Sequence, residues 1–202
     1  MNHLAHVVLA GSQEGLRLGA FLGDHVRGRR ALSALPPDWA AGVMLHRRID
    51  TLSDSHPAVR ALLARFHPPW RRYAGVIVDV LFDYMLSRHW DRFGPAPLGQ
   101  LSAELDDLLA RHAADLPARL VRFSRWARAR RLWMRYGDKA MLDEIFYRLA
   151  QRHGRPGPLA DGIEVLSARE REIESTFLKC FPDLVRQAGE ERLRLQSRWS
   201  SM

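Results

Sequence analysis

Apolar and polar positions along this chain recur with the period of helices, and no segment alternates with period two for long enough to make a strand. The stretch from Ala74 to Trp90 is apolar on nearly every side, as a helix in the middle of a core must be. It nevertheless carries Asp79 and Asp83, one helical turn apart on one face. Before it, Leu16 to Val26 shows a helical pattern with Asp24 near its end, closed by Gly28 and the arginines beside it. Pro36-Pro37-Asp38 starts a helix running from Trp39 to about Leu52, with Asp38 as its N-cap and His46 stacked on Asp50. Ser55-His56-Pro57 opens a short helix to Phe66, which His67-Pro68-Pro69 breaks. After the central stretch, Phe93 to Pro97 is a firm stop and Leu98 to His112 is amphipathic.

Pro117 then begins a basic helix reaching Arg135, and Asp138 caps a helix through Leu149. Arg155-Pro156-Gly157-Pro158 reads as a loop. One long helix follows from Leu159 to about Gln187, frayed near Phe181-Pro182, before a charged tail. The first segment, Asn2 to Ala10, is short and mixed, and Gly11 to Gly15 reads as loop or cap. With short Pro/Gly breaks, no linker and no internal repeat, residues 1–202 are expected to form one all-α domain, a helical bundle.

Composition narrows the class. A chain of 202 residues supports a sizeable core without staples, and 47% apolar with 27% charged residues is the balance of a globular protein. Cys180 is the only cysteine, so a disulfide framework is excluded and a reducing cytoplasm is expected. The start lacks the basic flank and apolar run of a signal peptide, and no apolar run approaches the roughly 18 residues of a membrane span. A net charge of +8 and a pI near 10.6 point to an acidic partner. All but Lys139 and Lys179 of the 31 basic residues are arginine, which coding bias explains as readily as phosphate binding.

The candidate chemistry lies in the carboxylates and histidines. A carboxylate in an apolar helix needs a cation, so Asp79 and Asp83 call for a divalent metal or for arginines such as Arg47, Arg48 or Arg88. Asp24 and the His46/Asp50 pair are the other ligand types at hand, and imidazole with carboxylate suits Mn, Fe, Zn or Mg. For the basic helix, a solvated face competes with a phosphate- or carboxylate-binding stripe at Arg122, Arg125 and Arg128, while Trp126 and Trp133 read as core. Taken singly, His6, His56, His67, His112 and His153 carry little information, and most of them read as surface or capping residues. Phosphate-cradling glycine loops, nucleophile elbows and cysteine zinc sites are absent from the sequence.

Four motifs keep a recognisable order: Met1-Asn2-x-Leu4-Ala5-His6, Gly23-Asp24-x-Val26-Arg27-Gly28, His46-Arg47-Arg48-Ile49-Asp50, and Asp79-x-x-x-Asp83 running into Ser87-Arg88-His89-Trp90. Together with Arg135-Tyr136-x-Asp138 they resemble the acyl carrier protein phosphodiesterase family. The resemblance implies an all-helical fold distantly related to the HD metal-dependent phosphohydrolases. It further implies hydrolysis of the phosphodiester joining 4′-phosphopantetheine to a serine of acyl carrier protein, with Mn²⁺ or Mg²⁺ and an acidic carrier protein as partner. On that resemblance Asp24, His46, Asp79 and Asp83 are expected to hold the metal, and Asp50 to join them or orient His46. Arg47 and Arg48 are then expected to hold the phosphate and His6 to assist proton transfer. Members often follow the second aspartate with histidine, where this chain has Tyr84. The rival readings are a phosphohydrolase acting on a nucleotide or other small phosphoester and, well below it, a nucleic-acid binder, which gives the buried aspartates no purpose.

Overall fold

The structure, a computed structural model, describes residues 1–152 and 157–199. It is all-α, with no strand among the described residues, as the sequence predicts. The helices are α1 (His3–Ala10), α2 (Glu14–Leu22), α3 (Gly28–Ser33), α4 (Pro37–Ser55), α5 (Pro57–Ala64) and α6 (Ala74–Arg88). The remainder are α7 (Trp90–Phe93), α8 (Leu98–Arg111), α9 (Ala118–Arg130), α10 (Leu132–Arg135), α11 (Lys139–Arg152) and α12 (Gly162–Trp199).

Helix α6 is the expected central element. From Ile77 to Leu86 every residue is buried except Asp79, so apolar surface leaves water on all sides of it. It packs against α1, α5, α11 and α12, and α12 also covers α4 and α5. Phe82 of α6, Phe93 of α7 and Phe177 and Phe181 of α12 join in an aromatic cluster with edge and stacked contacts. Helices α2 and α4 form the tightest pair, because glycines meet where they cross. A Cβ on Gly19 would lie 2.3 Å from the Trp39 carbonyl oxygen and 2.4 Å from the Gly42 Cα, so no larger residue fits. That crossing presses the face of α4 that carries His46 against the end of α2.

Several expectations shift. Residues 3–10, left unassigned above, are the helix α1. Asp38 lies inside the first turn of α4 and does not cap it; Pro36 occupies the cap position and Pro37 the first helical one, where a missing N–H costs nothing. The basic helix from Pro117 breaks at Arg131, which adopts φ 53°, so Trp126 and Trp133 belong to different helices. Trp133 is core; Trp126 is only half buried. The long last helix bends at Arg169 and passes through Pro182, and the segment expected as a tail is helical as far as Trp199. His56 caps α5 by accepting the Ala58 N–H, Asp138 caps α11 by accepting the Ala140 N–H, and His112 pairs with Glu14. His153, Arg155 and Pro156 lie outside the described residues.

Candidate metal centre

Helix α4 sets the site. His46 faces α2, where a Cβ on Gly23 would lie 2.2 Å from its ring, so a glycine is required for the ring to approach. Its Nδ1 is 2.9 Å from the Ala20 carbonyl oxygen. A carbonyl only accepts, so Nδ1 carries a proton and Nε2 is the ring atom turned toward the carboxylates. Nε2 lies 3.2 Å from Asp50 and 3.7 Å from Asp24, which the turn after α2 places there. From α1, His6 stacks on His46 with ring centres 3.7 Å apart. His6 Nε2 is 3.0 Å from the second oxygen of Asp50 and 3.1 Å from the Met1 carbonyl. Its Nδ1 is buried with no hydrogen-bond partner among the described residues. One ligand atom from each of His6, His46 and Asp50 thus falls within 4.8 Å of the other two.

The two aspartates of α6 part company. Asp79, 37% exposed, accepts a 2.7 Å hydrogen bond from the Met1 α-amino group, which is also 3.6 Å from Asp50. Asp83 is fully buried and accepts the backbone N–H groups of Leu4 at 2.7 Å and Ala5 at 3.0 Å. These are orphan donors of the first turn of α1, so Asp83 closes that helix end from outside and fixes where His6 stands. Tyr136 stands beside it, bonded by the Asn2 carboxamide at 2.9 Å. The Tyr84 hydroxyl donates to Glu170 of α12.

The electrostatics follow from burial and company. Burial alone would strip the proton from His46, but hydrogen bonds and charge from Asp24 and Asp50 outweigh it and raise its pKa to about 9. His6, fully buried, is driven down to about 4, with Asp50 only partly offsetting the loss of water. Asp50 is pushed up by burial, but the two imidazoles hold it well below the usual carboxylate range. His46 likewise holds Asp24 low. Burial raises Asp83 to about 7 in spite of its two N–H bonds.

Two imidazoles and a carboxylate converging from α1 and α4, with two more carboxylates at the rim, are a donor set suited to a divalent first-row metal. The α-amino group held between Asp79 and Asp50 marks the same place as one where positive charge is stabilised. Of the residues expected from sequence, His6, His46, Asp50, Asp24 and Asp79 come together, and Asp83 turns both oxygens to backbone instead. Arg47 is exposed, with its guanidinium bonded to the Val26 carbonyl beside the turn that carries Asp24. Arg48, two residues on from His46, projects from the other side of α4 into solvent. Sequence reasoning missed the Ala20 carbonyl, and it quoted Asn2, Gly23 and Tyr136 within the motifs without giving any of them a role.

Comparison with known proteins adds an independent line. The family model for acyl carrier protein phosphodiesterase matches residues 1–184. A protein named acyl carrier protein phosphodiesterase from Escherichia coli O6:K15:H31 is 34% identical over 96% of this chain and all of its own length. Proteins of the same name from Yersinia pestis and from Escherichia coli O45:K1 are 30% and 33% identical over the same shares. No solved structure matches the chain.

Proposed function

The chain belongs to the acyl carrier protein phosphodiesterase family, and from that membership we propose that it hydrolyses the phosphodiester between 4′-phosphopantetheine and the serine of holo-acyl carrier protein, releasing apo-carrier protein. The observation that carries the reading is the convergence of His6, His46 and Asp50 within 4.8 Å, in a chain of this family. These three would hold a divalent ion, Mn²⁺ or Mg²⁺, with Asp79 and Asp24 at its margin. Such an ion, when bound, lowers the pKa of water and neutralises phosphoryl oxygens.

The chain's own residues do the rest. The Ala20 carbonyl keeps a proton on His46 Nδ1, so Nε2 would be the atom that gives up its proton and ligates. Asp83 holds α1, and with it His6, in register with α4. Asp24 is ionised and its side chain is 72% exposed, so it is placed to orient a water at the rim by accepting a hydrogen bond from it. Arg47, anchored by one nitrogen to Val26, has donors left for a phosphoryl oxygen.

On α9, Arg119, Arg122 and Arg125 are exposed and make no ion pair among the described residues. They form a cationic stripe to which an acidic carrier protein would dock. No helix among the described residues is long and apolar enough to cross a membrane. The decisive experiment is incubation with holo-carrier protein and Mn²⁺, followed by mass spectrometry. Loss of the phosphopantetheine group is expected, and an intact holo-protein after prolonged incubation overturns the assignment.

A further inference from the structure

A small cavity opens beside the first turn of α1, next to the cluster but not part of it. Its wall is Asn2, His3, Phe123 and Trp126, with Ile145 and Arg148 of α11 opposite, and it has about 40 Å³ of free space. The first turn of α1 is common to both places. Asn2 bonds Tyr136, which stands against Asp83, and His3 is near enough to Asp24 to help hold its carboxyl low. His3 packs on Phe123 with ring centres 4.6 Å apart. The Arg148 guanidinium carbon lies over the Trp126 ring, 4.2 Å from its centre, and among the described residues Arg148 has no acidic partner.

The space suits one branched aliphatic group and no long chain, since a single water already needs roughly 10–15 Å³ on such a measure. In the phosphopantetheine arm, the carbon bearing two methyl groups is one methylene from the phosphate oxygen. A hydroxyl and two amides follow it. A phosphate at the cluster therefore brings the dimethyl carbon to the neighbouring apolar wall, and the polar atoms beyond it toward the Asn2 carboxamide and the Arg148 guanidinium.

We propose that this cavity seats the dimethyl-bearing carbon of the arm and lets the enzyme tell the arm from other phosphate esters. The proposal rests on reading the adjacent cluster as the place where the phosphodiester is cleaved. Burying two methyl groups gives about a tenfold gain in affinity.

The test is calorimetric binding to the Mn²⁺-loaded protein, with 4′-phosphopantetheine and butyl phosphate as probes. The wild type is expected to bind 4′-phosphopantetheine about tenfold more tightly. Ile145→Trp, which fills the cavity, should remove that preference and leave butyl phosphate binding unchanged. Trp126→Ala, at a half-buried wall position, should do the same by removing the wall, and it decides the matter if Ile145→Trp does not fold. Equal binding of the two probes by the wild type, or a preference surviving in the folded variants, overturns the proposal. Cleavage of holo-carrier protein by the wild type is measured in parallel. Cleavage without the preference refutes the cavity alone; the preference without cleavage refutes the activity alone.

Discussion

Replacing Asp83 separates holding the fold from holding a metal. In Asp83→Ala the N–H groups of Leu4 and Ala5, now bonded at 2.7 and 3.0 Å, lose their partner in a fully buried place. Each unsatisfied buried donor costs about 1–3 kcal/mol, so the variant should lose about 2–6 kcal/mol of stability. In a domain of this size that lowers Tm by about 5–20 °C. Asp79→Ala removes a carboxylate that is 37% exposed and leaves the buried Met1 amino group with Asp50, 3.6 Å away, as its partner, so it should cost less than the Asp83 change, about 1–2 kcal/mol. The assay is thermal unfolding followed by circular dichroism in chelator, because bound metal would stabilise the variants unequally. Metal affinity is then measured by calorimetry on the folded proteins. Asp79→Ala should weaken it while melting near the wild type, and Asp83→Ala should melt well below the wild type while its folded fraction still binds metal, weakened only as far as α1 and His6 shift. If Asp83→Ala melts with the wild type and has lost the metal, Asp83 is a ligand and its role in α1 is wrong.

Further outcomes are expected elsewhere. Gly23→Ala, whose Cβ would meet the His46 ring at 2.2 Å, should weaken Mn²⁺ binding by about 10–100-fold with helicity retained, although it touches no ligand atom of the metal; unchanged affinity would show that the ring has room to move. Charge reversal at Arg122 and Arg125 should raise KM for carrier protein at about 50 mM salt and much less at about 500 mM, and a salt-independent loss would place docking elsewhere. Burial pushes the Cys180 thiol up to about 12, so the folded protein should resist thiol reagents at pH 8 and react on unfolding. Above pH ~8.5 the unfolded chain gives up that proton while the folded chain keeps it, so the residue makes stability fall as pH rises from there toward 12, which urea titrations at several pH values measure against Cys180→Ala.

The parts legible in the sequence are those whose signals are local. The apolar character of Ala74 to Leu86, interrupted only by Asp79 and Asp83, announced a central helix, and the spacing of His46 and Asp50 put both on one face of α4. Helix α1 escaped notice because it is buried on most sides and shows little amphipathic contrast, and because its cap comes from Asp83, far along the chain. The break at Arg131 has no glycine to mark it. Spacing placed Asp79 and Asp83 on one face of α6, but it could not show that one turn of helix carries them from the rim of the cluster to the end of α1. His6 as a neighbour of His46 is a purely tertiary fact. The kinship with HD phosphohydrolases remains an implication of the sequence resemblance.

Helix α12 has a consequence for how the protein is made. All the cluster residues lie within the first 79 positions, yet the layer that covers α1, α4 and α6 belongs to a helix that begins at Gly162. Chains emerge from the ribosome N-terminus first, at about 5–20 residues per second. For several seconds the nascent protein therefore carries the whole cluster on helices with one flank bare. The apolar surface of α6 is then open to chaperones or to other nascent chains.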